Sequence, residues 1–296
     1  TATDGSYTFT GIADGDYLLT PSSAKPWSGV SAADVLLYKK HIAGITPLTG
    51  IFLASGDVNS SGGLTASDVL LIKKRIASVI TSFTTGDWLY NCSPLTVNGA
   101  NITQNFNGLI YGDANASYTP VEDNNNPAEV PGFKNTSSET LTIQSLASST
   151  GQLTVPVYAS NVANLGAFQF TISYDASKLQ FAGADNWLTG INEVTVGNPK
   201  PGLITFVWAA DADGISISND KLFDLHFLSL VPDESSISWS NDPTPIEFSD
   251  WDGNIFEPNF TDGKMDITTG IAEHKTNSLA IFPNPNQGTF SIEIYS

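Results

Sequence analysis

The sequence predicts a mainly β protein: a β-sandwich carrying a small α-helical insertion, then a second sandwich of the jelly-roll kind. Three observations point there. From residue 141 to 268 apolar residues alternate with polar ones in short runs, with Gly, Pro, Asn and Asp between the runs, the pattern of strands half-buried in a sandwich. Within residues 21–82 the apolar spacing becomes helical, in two copies of one motif. Charged residues make up only 14% and hydrophobic residues 41% of the 296, a balance that suits all-β extracellular modules and leaves room for two or three domains.

The first expected element is a hairpin over residues 1–20. Tyr7 and Phe9 alternate with polar residues, Gly11 and the Ala-Asp-Gly at 13–15 make the turn, and Tyr17 and Leu19 resume the alternation. A lone hairpin is marginal in water, so further strands are needed, and the run Leu95–Asp113 is the expected closing strand. Residues 1–20 and 83–113 then read as parts of one sandwich, interrupted by an insertion at 21–82. The G-x-Y-x-F…G-x-Y pattern resembles the late strands of prealbumin-like β-sandwich repeats in bacterial surface proteins.

Within the insertion, Gly29 aligns with Gly63 and Asp34 with Asp68, at one offset of 34. Each copy reads G-[VL]-[ST]-A-x-D-V-L-L-x-K-K and continues as helix. Val35, Leu36 and Ile42 in the first copy, and Val69, Ile72, Ile76 and Val79 in the second, fall at helical spacing. Gly44 suits the position just past a helix end. Lys39, Lys40 and His41, with Lys73, Lys74 and Arg75 in the other copy, sit near negative helix ends, where a solvated basic face needs no further explanation.

The second copy contains a metal loop. Numbered from Asp57, the ligand positions 1, 3, 5, 7, 9 and 12 of an EF-hand-type loop fall on Asp57, Asn59, Ser61, the carbonyl of Gly63, Thr65 and Asp68, with Gly62 at the turn position 6. Short oxygen side chains on alternating residues aim at one ion, and hard oxygens select Ca2+. An Asp at a helix start also caps the helix without any metal. In the upstream copy, positions 1, 3 and 5 would be Ser23, Lys25 and Trp27, and lysine and tryptophan do not ligate calcium. Yet GDANAS at 112–117 repeats the GDVNSS of 56–61. Asp113, Asn115 and Ser117 are therefore expected to supply the first half of a split loop, completed by the carbonyl of Gly29, Ser31 and Asp34. The alternative is a polar turn.

Duplicated loop–helix units of this kind resemble type I dockerins. The resemblance implies Ca2+ as cofactor and a cohesin as partner. It also implies contact through residues of the following helix: Ala66, Ser67, Lys73 and Lys74 in one copy, with Ala32, Ala33, Lys39 and Lys40 in the other.

Residues 114–140, rich in Pro, Asn, Ser and acids, read as an extended linker. In 141–268 the strand candidates are LTVPVYA, AFQFTISYD, GLITFVWAAD, KLFDLHFLSL and SISWS. The stretch LTVPVYASNVANLGAFQFTISYDASKLQFAG resembles the opening strands of cohesin domains. The resemblances together imply a β-sandwich with a dockerin-like insertion, followed by a cohesin-like jelly-roll sandwich. The end of the chain, residues 277–296, resembles the start of the sorting domain of the type IX secretion system of Bacteroidetes. Pro283-Asn284-Pro285, Gly288 and the alternating Phe290, Ile292 and Ile294 carry that resemblance, which implies a secreted or cell-surface protein.

Twelve basic residues against 30 acidic ones give a net charge of −18. Such a surface repels nucleic acid and anionic membranes and favours divalent cations. No apolar run approaches the ~18 residues of a membrane span. The single cysteine, Cys92, allows no internal disulfide, and an inert, partly buried thiol is its expected state. The chain starts without Met or signal peptide and is expected to be a piece of a longer protein. For catalysis, His41, His226 and His274 fall in three segments without ligand spacing, and no nucleophile elbow or phosphate-cradling loop is present. His226 reads as structural. DADG at 211–214 and DWDGN at 250–254 offer oxygens for calcium but are explained first by Asp-Gly turns, and Trp187, Trp208, Trp239 and Trp251 offer a sugar-stacking face but are explained first by core and rim packing.

The expected function is a non-catalytic, calcium-stabilised extracellular segment for structure or adhesion, assembling head to tail into a fibre. Its partners would be other copies of itself or a cohesin- or dockerin-bearing protein. The alternative is a carbohydrate-binding or scaffolding accessory region of a larger secreted hydrolase, with polysaccharide as ligand.

Overall fold

The computed structural model describes residues 6–118, 138–269, 280–281 and 292–293. Strand β1 (Gly15–Tyr17) is followed by helices α1 (Ala32–Ile42), α2 (Gly50–Ala54) and α3 (Ala66–Ile76), then β2 (Trp88–Tyr90), β3 (Leu95–Val97) and β4 (Gly108–Ile110). Next come β5 (Thr140–Ile143), β6 (Leu146–Ser149), β7 (Gln152–Tyr174), β8 (Leu179–Asp185), β9 (Thr195–Lys200) and β10 (Leu203–Ala209). The series continues with β11 (Ile215–Ser229), β12 (Ser235–Ser240), β13 (Glu247–Asp250), β14 (Ile255–Phe256), β15 (Asn259–Thr261) and β16 (Gly263–Thr268). A last pair, β17 (Ala280–Ile281) and β18 (Ile292–Glu293), is antiparallel. Pro283, Asn284, Pro285, Gly288, Phe290 and Ile294, on which the sorting-domain resemblance rests, lie outside the described residues. The protein is mainly β, as the alternation predicts.

The long strand β7 organises the second region. LTVPVYA and AFQFTISYD, expected as two strands, are one. Asn161 and Asn164 take left-handed φ of 59° and 53° within it, a conformation asparagine tolerates better than most residues, and these bends read in sequence as a turn. The first part of β7 pairs with β5 and β11, and the second part with β10, β12 and β13. One curled sheet results, and its alternating inner residues Phe168, Phe170, Ile172, Phe206, Trp208, Phe223 and Phe227 fill the core. The outer side of β7 and β10 is also buried: Ala167, Gln169, Thr171, Thr205, Val207 and Ala209. Small and hydroxyl-bearing side chains there admit something packed closely against the sheet.

The first region differs from its expectation. β1 pairs with β3, with Tyr17 opposite Leu95, and β2 with β4, with Trp88 opposite Ile110. The hairpin of residues 1–20 does not form among the described residues. Tyr7 instead reaches across the chain, donating its hydroxyl to the Gln104 carbonyl at 2.7 Å, because the strands that satisfy this segment lie some 80 residues later. Leu95–Asp113 is not one strand but β3 and β4, separated by residues 98–107, which open with the polar Asn-Gly-Ala-Asn at 98–101.

Both longer helices carry a capping box, Ser31 with Asp34 and Thr65 with Asp68, which satisfies first-turn amides that no helical carbonyl can reach. Val35, Leu36, Tyr38, Val58, Ile72 and Phe83 pack between them. Ile42 and Val79, expected on apolar faces, are exposed; Val79 lies beyond the end of α3. Arg75 is not a solvated base. It is buried, its guanidinium 4.3 Å from the centre of the Trp27 ring and 4.5 Å from that of Phe83, and paired with Asp87 at 2.5 Å.

Candidate calcium loops and docking face

The loop from Asp57 to Asp68 is wound by its own side chains. The Asp57 carboxylate accepts from the amides of Ser61 and Gly62, both at 2.9 Å, and Asn59 Oδ1 accepts from Ser61 at 2.8 Å. Gly62 turns the chain at φ 102°. Asp68 closes the loop from α3, its Oδ2 accepting from the Thr65 amide at 2.9 Å and its Oδ1 from the Asn59 amide at 3.3 Å.

A second loop of the same form is assembled from two places in the chain. Asp113 Oδ1 accepts from Asn115 and Ser117 at 3.2 and 3.3 Å, and Asn115 Oδ1 from Ser117 at 2.8 Å. Ser117 Oγ donates to the Gly29 carbonyl at 3.0 Å, as Ser61 Oγ does to Gly63 at 3.4 Å. Asp34 Oδ2 accepts from the Ser31 amide at 2.8 Å, and its Oδ1 from Ala114 at 2.9 Å. Gly29 is required by space: a Cβ there would stand 2.8 Å from that of Tyr118. Residues 114–118, expected in the linker, thus fold against the start of α1.

Asp34 and Asp113 are both 0% exposed. Burial pushes the Asp34 carboxyl up to about 8, and the charge of Asp113 adds to the rise. Among the described residues no three His, Cys, Asp or Glu side chains come together. Each loop instead offers two carboxylates, an amide, two hydroxyls and a backbone carbonyl, an all-oxygen set that fits calcium.

The helix pair rests on the outer side of β7 and β10. The first turn of α1 leaves amides without helical partners, and Ala32 donates to Gln169 Oε1 at 2.9 Å. The last turn of α3 leaves carbonyls without partners, and those of Ile76 and Ala77 accept from Thr244 Oγ1 at 2.6 Å and Thr205 Oγ1 at 2.5 Å. Lys39 reaches the Ala209 carbonyl at 2.6 Å and Asp211 at 2.5 Å, Lys73 the Glu193 carbonyl at 2.8 Å, and Lys40 the Trp251 carbonyl. At Gly197 a Cβ would lie 2.3 Å from the Ala77 carbonyl, so only glycine lets α3 approach.

Residues 140–267 match the cohesin domain family, and residues 28–77 match the dockerin type I domain family. The chain carries a dockerin module and a cohesin module. Both are non-catalytic modules of protein–protein assembly, typically extracellular or at the cell surface. Similar solved structures include the sixth cohesin of scaffoldin B of Acetivibrio cellulolyticus in complex with the Cel5 dockerin, at 18% identity over 44% of this chain and 99% of that one, with a TM-score of 0.40. A type I cohesin–dockerin complex of Clostridium thermocellum aligns at 17% over 44% and 99%, with a TM-score of 0.39. A non-cellulosomal cohesin of Archaeoglobus fulgidus aligns at 20% over 48% and 100%, with a TM-score of 0.38. No curated protein matches the chain. Among the described residues no helix is long and apolar enough to cross a membrane.

The two copies of the dockerin repeat are used unequally. Ala32, Ala33, Lys39 and Lys40 of the first copy and Lys73 of the second lie at the cohesin sheet. Ala66 and Ser67 stay exposed, and Lys74 makes no hydrogen bond or ion pair among the described residues. The reason is geometric: α1 lies on the sheet at both its first and its last turn, whereas α3 meets it only through its C-terminal end, so the start of α3 faces away. Leu36 is 0% exposed while its counterpart Leu70 is 44% exposed.

His274 lies outside the described residues, and the remaining candidates within them are structural. His226 bridges Thr154 and Asp185 on the cohesin surface. Trp208 is buried, Trp187 stacks on Phe223, Trp239 packs against Phe170 and Phe260, and Trp251 lies under Lys40. Asp250 closes the 250–254 turn by accepting from the Asn254 amide. Cys92 is exposed rather than partly buried, because the short β2–β3 connection that carries it lies on the surface.

Proposed function

We propose that this chain is a non-catalytic extracellular assembly segment in which the dockerin helix pair and the cohesin sheet are two halves of one docking interface. The supporting observation is the exchange of partners at the helix ends. Groups that α1 and α3 cannot satisfy internally, the Ala32 amide and the Ile76 and Ala77 carbonyls, meet Gln169, Thr244 and Thr205 of the cohesin module. Such matching is expected of surfaces that recognise each other. Engaged between molecules, the same halves link copies head to tail into a fibre.

Calcium belongs to this reading. Asp57, Asn59, Ser61, Gly63, Thr65 and Asp68 would hold one ion. Asp113, Asn115, Ser117, Gly29, Ser31 and Asp34 would hold a second, which offsets the two buried carboxylates Asp34 and Asp113. Export rests on the resemblance of residues 277–296 to a type IX sorting domain. Sedimentation of the full chain over a wide concentration range tests the assembly. Linear oligomers that grow with concentration in calcium and dissolve in chelator are expected. A single species up to millimolar concentration would overturn the fibre.

A further inference from the structure

We propose that the dockerin helix pair is a latch on the cohesin face of its own molecule, so that at low concentration each chain is closed and assembly proceeds by exchange with a second copy. This rests on the docking reading and adds which molecule supplies the helices.

The first argument is coverage. Gln169, Thr171, Thr205, Val207 and Ala209 on the cohesin side are buried within the one chain, and so are Ala32, Ala33, Leu36, Lys73, Ile76 and Ala77 on the dockerin side. The same atoms would have to meet any second copy. The Thr205 and Thr244 hydroxyls are already donated to Ala77 and Ile76, and the Lys39 ammonium already sits between the Ala209 carbonyl and Asp211. A partner can engage either half only after the internal contact has opened.

The second argument is the tether. The dockerin loop ends at Tyr118, the cohesin strands begin at Thr140, and residues 119–139 join them. A connection of about twenty residues spans at most ~70 Å and holds the halves at an effective concentration on the order of millimolar. A second molecule at micromolar concentration competes at a disadvantage of about a thousandfold for an interface of equal strength. Closed monomers therefore prevail in dilution, and linked chains only where copies are crowded, as on a surface.

The test uses the full chain in calcium with a protease site placed between residues 118 and 138. Intact protein at sub-micromolar concentration is expected to elute as a monomer, and after cleavage its two halves should still co-elute. Lys39→Glu, facing Asp211, should weaken retention of the halves about tenfold or more, and adding Asp211→Lys should restore part of it, the Ala209 carbonyl still lacking its donor. Gly197→Val, which places side-chain atoms where the Ala77 carbonyl lies, gives an independent opening from the cohesin side. Halves that bind each other while the intact chain elutes as oligomers at the same dilution would overturn the latch and leave the docking reading standing. Wild-type halves that part at once would overturn both. Retention unchanged in both Lys39→Glu and Gly197→Val would assign the association to another surface and overturn the latch.

Discussion

The backbone amide of Ala114 donates to Oδ1 of Asp34 across 2.9 Å and 80 residues of sequence. That bond joins the GDANAS segment to the start of α1, and it closes one loop from two pieces that are each incomplete, the second of the two candidate calcium loops. Calorimetric titration should find two calcium ions per chain. Asp113→Ala should lower the count to one and leave the Asp57 loop filled, and Asp57→Ala should do the converse. A count of two in Asp113→Ala would exclude the split site. Chelator should lower the melting temperature, since each site held at about a hundredfold above its dissociation constant contributes roughly 2.7 kcal/mol.

Arg75 stacks on two aromatic rings and pairs with Asp87 inside the dockerin module. Arg75→Ala should cost on the order of 2 kcal/mol by urea unfolding, because it removes the stacking on two rings, while the partly exposed Asp87 loses its partner at little cost. Arg75→Lys should recover little, since a lysine cannot present a planar face to Trp27.

Thr205→Val and Thr244→Val keep the shape of the cohesin surface and withdraw the donors from the Ala77 and Ile76 carbonyls. Each should weaken retention of the cleaved halves by about 1–3 kcal/mol, the cost of a buried acceptor left unpaired. The melting of the cohesin module itself should be nearly unchanged. A large loss of cohesin stability would show that these hydroxyls serve the sandwich rather than the docking.

Burial holds the Lys73 ammonium below the usual lysine range, and Lys39 adds to the depression against the opposing pull of Glu193 and Asp211. The docked state therefore favours neutral Lys73. Its penalty on docking is full below the depressed value and fades as pH rises through it toward 10.5, the ordinary lysine value. Docking by the wild type should strengthen relative to Lys73→Met over that window. Parallel pH profiles of the two proteins would rule out a contribution from Lys73.

What could be seen in the sequence was what is encoded at short range. The Asp57–Asp68 loop follows from spacing alone, and the split loop from the repetition of GDVNSS as GDANAS. Alternation gave the sandwich because Phe168, Phe170 and Ile172 face one core. The errors arose where distant residues decide. β1 finds its partner in β3, some 80 residues on, so the local alternation of residues 1–20 read as a hairpin that does not form among the described residues. Helix α2 has five residues, too few to show a period. Lys39, Lys40, Lys73 and Arg75 looked like a solvated basic face because the acceptors of the three lysines, at Ala209, Trp251 and Glu193, are remote backbone carbonyls without a side-chain signature, and Asp87, 12 residues after Arg75, lies beyond its helix. The small residues Ala167, Thr205 and Ala209 were the available hint, an outer face too bland for open water.

The meeting of Ser117 with Gly29 also bears on how the module would respond to tension. The chain enters the helix pair at one side of the split loop and leaves at the other, so a pull applied across residues 29–117 falls on that seam. The Ser117–Gly29 and Ala114–Asp34 bonds would open in turn, as a zip does, while the packing of α1 on α3 stays out of the line of force. A pull confined to that span would therefore part the split loop before it unwinds either helix.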